Sequence, residues 1–265
     1  MVNFQQKDFY DIEDLQKIVE LLRSKNGCPW DKEQTHKSIR SDFIEEVCEA
    51  IEAIDLEDSE LLREELGDVL LQVVFHCQIE RENENFVFND VCDEVCKKLI
   101  IRHPHVFGDV IVGNTEDVLK NWDSIKKETK GQESYTDTLK SVAKSLPALM
   151  RAQKVGKRAM RAGMDFSSAD DAIACIAREK AEFDEAVAGG DKERIADELG
   201  DLLFSCVNAA RHLGVDAEQA LTDSTEKFIQ RFSKTEELVS LDLLNMPELS
   251  IEQLDVYWER AKKLL

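Results

Sequence analysis

The sequence predicts an all-α chain built as two tandem helical bundles, and three observations carry that prediction. Of 265 residues only 11 are Gly and 4 are Pro, with 43 % apolar, 34 % charged and 7 % aromatic. That composition favours helices over a sandwich or barrel. Apolar residues recur at three- and four-residue spacing through most of the chain. Finally, an acidic block occurs twice. Glu46, Glu49, Glu65 and Asp68 return as Glu179, Glu182, Glu198 and Asp201, each 133 residues later. A uniform offset of this kind marks a duplicated unit. The expected units are residues 1–128 and 147–265, joined by a linker over 129–146 where periodicity lapses.

In the first unit, Ile12, Leu15, Ile18, Val19 and Leu22 give a helix over 11–25 that stops at Asn26-Gly27. Gly27-Cys28-Pro29-Trp30-Asp31 follows as a tight loop, either a packed turn or the edge of a ligand pocket. Ser41 or Asp42 is the expected N-cap of a second helix running to Ile54, striped by Phe43, Val47, Ala50, Ile51 and Ile54. Glu46 and Glu49 share one side of it, about 60° apart. A third helix over 60–80 carries Leu66, Val69, Leu70, Val73, Val74 and Cys77 beside Glu65 and Asp68. Leu71 and Phe75 make its far face apolar as well, so it belongs inside a bundle or at a subunit interface. The short acidic link makes these two helices antiparallel, so that E-x-x-E can face E-x-x-D.

A fourth helix over 89–102 ends at Arg102-His103-Pro104-His105. After the Gly108–Asn114 loop comes a short helix with Val118, Leu119, Trp122 and Ile125. The second unit repeats the plan at 147–162, 168–188, 192–213, 216–240 and 251–264, punctuated by Gly163, Gly189-Gly190, Gly214 and Pro247. The echo extends to basic and aromatic residues. Lys98, Arg102 and Trp122 correspond in pattern to Lys227, Arg231 and Trp258, and Lys126 to Lys262.

The net charge of −21 and the absence of a dense Lys/Arg run exclude nucleic acid as a partner. A small phosphorylated ligand remains compatible, provided cations are recruited to meet it. The seven cysteines form no C-x-x-C pair and read as small core residues in a reducing compartment. Met1 to Tyr10 is unlike a signal peptide, and no apolar run reaches the roughly 20 residues a membrane span needs. The expectation is a soluble, cytoplasmic protein. His76, His103, His105 and His212 are read as structural.

Carboxylates at i and i+3 point one way from a helix. Two facing pairs gather four negative charges beside apolar side chains, which calls for a counter-charge. An all-oxygen set suits Mg²⁺, or Mn²⁺, and offers nothing to favour zinc or copper. A di-iron bundle would need a Glu-x-x-His on two helices, and positions 49, 68, 182 and 201 are not His. Lys227 and Arg231, at i and i+4, suit either phosphate contacts or a solvated face. Trp258 suits either a base or a core.

Read together, several stretches resemble the MazG family of nucleoside triphosphate pyrophosphohydrolases, in its tandem form, along nearly the whole chain. They are Gly27-Cys28-Pro29-Trp30-Asp31-Lys32-Glu33-Gln34-Thr35, Glu64-Glu65-Leu66-Gly67-Asp68, Arg102-His103-Pro104-His105-Val106-Phe107, Ser145-Leu146-Pro147-Ala148-Leu149-Met150-Arg151-Ala152-Gln153-Lys154 and Asp197-Glu198-Leu199-Gly200-Asp201. The resemblance implies helical bundles in an intertwined homodimer, and Mg²⁺-dependent hydrolysis of an NTP or dNTP to monophosphate and pyrophosphate. It implies catalytic metal ligands at Glu179, Glu182, Glu198 and Asp201, with Glu46, Glu49, Glu65 and Asp68 as the first-half set. Substrate contacts fall on Lys227, Arg231, Trp258 and Arg194, echoed by Lys98, Arg102 and Trp122. Arg178 stands where the first half has Glu45 and the family an acid, so a base role there gives way to a grip on phosphate. Conversely, Leu61 stands where the second half has Arg194. A triphosphate needs cations in an acidic site, which favours the second half. The rival readings are a nucleotide-sensing or partner-binding bundle that does not turn its ligand over, and a purely structural dimerisation module.

Overall fold

A computed structural model of the chain describes residues 2, 4–115, 117–118, 121–122, 125 and 134–265. Every regular element among them is helical, and the chain divides into two compact units, Met1–Lys126 and Lys127–Leu265. Among the described residues no helix is long and apolar enough to cross a membrane.

The first unit holds α1 (Ile12–Arg23), α2 (Pro29–Glu33), α3 (Arg40–Asp55), α4 (Ser59–Glu82), α5 (Phe88–Arg102) and α6 (Pro104–Phe107). Asp11 opens α1 with a capping box to Asp14, and Asp58 opens α4 by accepting from the amides of Glu60 and Leu61. α3 begins earlier than Ser41 or Asp42. Its N-cap is Ile39, which makes no side-chain cap, because the turn from Thr35 winds directly into the helix through Ile39 N to Thr35 O (3.2 Å). Ile39 is itself buried, which fixes that entry. The loops around Pro29 and Pro104 contain the short α2 and α6, each with Pro in its first turn. Val118, Trp122 and Ile125 are helical as expected, whereas Leu119 and Lys126 lie outside the described residues.

α3 and α4 form an antiparallel hairpin, and α1 packs on α4. The core joins Val19 of α1, Ile39, and Val74, Phe75 and Ile79 of α4, with Leu15, Leu71 and Phe88 against it. Arg23 closes one end. It is buried, pairs with Glu82 at 2.8 and 2.9 Å, donates to the carbonyls of Asp31 and Gln34, and stacks 5.1 Å from the Phe75 ring centre. The histidines build a second tie: His36 Nδ1 meets His76 Nδ1 at 2.7 Å and His36 Nε2 meets Glu80 at 2.5 Å, linking the α2–α3 turn to α4.

The second unit holds α7 (Tyr135–Lys140), α8 (Ala148–Arg161), α9 (Ala169–Gly189), α10 (Lys192–His212), α11 (Ala217–Leu241), a 3-10 turn (Met246–Glu248) and α12 (Ile251–Lys262). α7 falls within the stretch expected as linker and packs on α8, where Ser141 receives Arg158 at 2.8 Å. α9 and α10 make the hairpin that matches α3 and α4, and α8 packs on α10. The match reaches the turn itself. Asp191 caps α10 as Asp58 caps α4, and Gly190 and Glu57, also 133 apart, both take left-handed backbone (φ +72° and +54°). Of the cysteines, Cys77 and Cys175 are buried as expected. Cys48 and Cys206 on the hairpins and Cys96 on α5 are exposed, on helix faces turned to solvent.

Candidate metal centres and an adjoining cavity

In each hairpin the E-x-x-E pair of one helix faces the partner helix. Carboxylate oxygens of Glu46, Glu49 and Glu65 lie within 4.8 Å of one another, and those of Glu179, Glu182 and Glu198 do the same. The fourth expected ligand stands beside each triad rather than in it. Asp68 is near enough for its charge to act on Glu46 and Glu65, and Asp201 borders Glu179 in the wall of a cavity.

Both triads fit a hard divalent cation. Ligand oxygens 2.0–2.1 Å from Mg²⁺ sit about 3 Å apart when adjacent and about 4 Å apart when opposite. Triads gathered within 4.8 Å therefore need only a small closing movement. Glu49 and Glu182 are exposed and the other four half-buried, which leaves coordination positions open. In the first triad, burial and then the charges of Asp68, Glu49 and Glu65 hold the Glu46 carboxyl above its ordinary range. Burial and Glu49 do the same to Glu65. Such crowding is what a cation relieves.

The second triad adjoins a cavity of about 610 Å³, within the usual span of small-molecule sites. Val155, Ala159, Met164, Phe166 and Phe204 make it largely apolar, and Glu179 and Asp201 stand in its wall. Cys175, one turn before Glu179, points its thiol at Glu179 Oε1 (3.4 Å), and burial pushes that thiol up. Two further cavities, in the first unit, are lined by Gln16 with α4 and α5 residues and by the Ser24–Glu33 loop, and neither includes a first-triad residue.

The far end is held by Asp165. It accepts from Arg211 Nη1 (3.0 Å), Arg211 Nη2 and His212 Nε2 (2.9 Å), and the Arg211 guanidinium holds its carboxyl down at about 2. His212 is thus structural, as expected.

The basic residues are distributed. Arg194 lies 3.6 Å from Glu198 and 3.9 Å from Glu185, and among the described residues it is the cation that pairs with a triad. Arg178 is exposed on α9 near Asp171 and Cys175. Lys227 is exposed and Arg231 half-buried on α11, where Phe228 packs 5.1 Å from Trp258. None of these three expected substrate residues lines the cavity. In the first unit Lys98 is exposed, and Arg102 stacks 5.5 Å from Trp122. Reading motifs missed Phe204, Ser205 and Asn208 of the cavity wall. A signal existed, since their counterparts 133 residues earlier are Leu71, Gln72 and Phe75.

Two helical hairpins, each presenting three converging carboxylates, define a duplicated all-α protein with two candidate metal centres. The sequence pattern of the MazG nucleotide pyrophosphohydrolase domain matches residues 34–107 and again 167–235. The chain belongs to that family. It is 45 % identical over 250 residues, covering 94 % of this chain and 95 % of the relative, to the nucleoside triphosphate pyrophosphohydrolase/pyrophosphatase MazG of Thermotoga maritima. It is 42 % identical over 255 residues, 95 % of this chain and 97 % of the relative, to a nucleoside triphosphate pyrophosphohydrolase of Escherichia coli. A nucleoside triphosphate pyrophosphohydrolase of Mycobacterium tuberculosis is 38 % identical over 150 residues, 56 % of this chain and 45 % of that one.

Proposed function

We propose that this chain is a cytoplasmic enzyme that hydrolyses nucleoside triphosphates, ribo or deoxy, to monophosphate and pyrophosphate. Mg²⁺ serves as cofactor, Mn²⁺ can replace it, and the second unit carries the reaction. The observation behind this assignment is the cavity whose wall holds Glu179 and Asp201. It offers a nucleotide an apolar chamber beside carboxylates able to hold a cation.

Glu179, Glu182 and Glu198, with Asp201, would hold the metal of the working site, and Glu46, Glu49, Glu65 and Asp68 that of the first unit. A bound divalent cation supplies charge neutralisation at phosphate oxygens and an acidified water. The protein's own part is to orient the nucleotide, meet its charge and accept a proton. Arg194 is held beside Glu198 at 3.6 Å, so a positive group stands at the rim where phosphates meet the triad. Arg178, Lys227 and Arg231 meet the remaining phosphate charge, and Trp258, resting on Phe228, borders the nucleotide from that side. The apolar wall keeps water from the base, and a carboxylate of the cluster accepts the proton of the attacking water. In the first unit, Lys98, Arg102 and Trp122 make the echo of the phosphate-binding group in a copy that supports the assembly. That assembly is a homodimer, which would cover Leu66 and Leu70 of α4 and Leu199 and Leu203 of α10, all exposed in the single chain.

Pyrophosphate release from a panel of NTPs and dNTPs, with Mg²⁺ and with chelator, tests the reading. Metal-dependent release with matching monophosphate is expected, and Glu198→Gln should lower it by about a hundredfold or more. Full release by that variant would move the site to the first unit. Binding without release from any nucleotide would leave a sensor.

A further inference from the structure

The cavity of the second unit says more about the substrate when set beside the same place in the first, an argument that rests on the nucleotide reading above. α4 and α10 share one register, so Phe75 and Asn208 are counterparts. In the first unit Phe75 is 7 % exposed, and it fills the space between α1 and α4 under the Arg23 guanidinium. In the second unit the same position carries a carboxamide, and a cavity opens in front of it.

The Asn208 amide oxygen also has close neighbours. α8 approaches it through Gly156, where a Cβ would come 2.6 Å from Asn208 Oδ1. That oxygen faces Arg211 Nη2 at 3.5 Å, and Arg211 is fixed by its two-nitrogen grip on Asp165. The amide oxygen is therefore turned to α8 and Arg211. Among the described residues nothing accepts from Nδ2, so the cavity meets Asn208 as a hydrogen-bond donor. The hydroxyl in the wall, on Ser205, spends its proton on Leu202 O at 2.8 Å.

We propose that Asn208 reads the base of the bound nucleoside triphosphate, donating from Nδ2 to a ring carbonyl. The site thereby prefers 6-keto purines and 4-keto pyrimidines to their amino counterparts. An amino group at the same ring position would set donor against donor, and one polar partner lost from an apolar chamber is felt strongly.

The test compares kcat/KM for two matched pairs, ITP with ATP and UTP with CTP, in the full-length protein. Wild type should favour the keto member of each pair by about tenfold, chiefly through KM. Asn208→Asp, which offers only acceptors, should shift both ratios towards the amino member, and Asn208→Leu should bring both near one. Wild-type ratios near one would overturn the proposal. So would variants that slow all four substrates equally, since that is the mark of a structural role. If no nucleotide yields pyrophosphate, hydrolysis fails as a reading, and base choice is read from dissociation constants instead. Keto-selective binding that shifts in Asn208→Asp then supports the proposal, and equal constants overturn it.

Discussion

Asp165 is the acid that ties together its part of the wall in the second unit's cavity. Its two oxygens take both terminal nitrogens of Arg211 and the ring of His212, and Arg211 is nine-tenths buried. The carboxyl is held at about 2 against an ordinary 3.8, so the native state favours its ionised form. A depressed acid contributes stability above the unfolded value, and that contribution fades as pH falls from about 4 towards 2. After solvent screening it is on the order of 1 kcal/mol. Asp165→Asn should cost more, about 2 kcal/mol at neutral pH, because it leaves the Arg211 charge buried without its counter-charge. Urea unfolding across this pH range checks both parts: the variant should start less stable and lose less on acidification. A variant that falls as steeply as wild type would place the acid sensitivity elsewhere.

The hairpin is the element that duplicates most faithfully, down to its turn. Gly190 takes left-handed backbone after α9 at little cost, whereas Glu57 takes the same conformation after α3 with a side chain. Glu57→Gly should therefore stabilise the first unit, by roughly 0.5–1 kcal/mol, despite the usual penalty of glycine in the unfolded chain. A rise in the first-unit melting transition is the readout, and a fall would mean that Glu57 makes compensating contacts. This level of organisation was legible in the sequence. Helical periodicity placed α4, α5 and α10 within two residues of their observed ends, and i, i+3 spacing was enough to foresee Glu46 with Glu49 and Glu179 with Glu182. The cavity was not legible in the same way. It arises from residues on α7, α8, α9, α10 and the connection between α8 and α9, and none of their patterns by itself announces a pocket. The 133-residue offset pairs Asn208 with Phe75, but only packing shows that Gly156 admits Asn208 and that a cavity opens there. α7 escaped notice because six residues carry too little periodicity to stand out, although its Ser134 and Asp137 do form a capping box.

At the scale of the molecule, a net charge of −21 opposes the approach of a polyanionic substrate. The groups proposed to meet its phosphates in the second unit are four: Arg194 against the triad, Arg178 on α9, and Lys227 with Arg231 on α11. Two electrostatic influences therefore compete in the encounter. The long-range field of the whole chain repels a nucleoside triphosphate, even one carrying a divalent cation, and salt screens that repulsion over about 10 Å at 0.1 M. The local cations act within a few ångströms and are screened less. If the global field governs arrival, raising ionic strength from about 0.02 to 0.2 M at saturating Mg²⁺ should increase kcat/KM several-fold and leave kcat nearly unchanged. If the basic groups steer the nucleotide instead, kcat/KM should fall with salt. Arg194→Leu would then flatten the fall, because it leaves that rim of the triad with the character of Leu61 in the first unit. The sign of the salt dependence thus decides whether the second unit overcomes the charge of its own chain before contact or only after it.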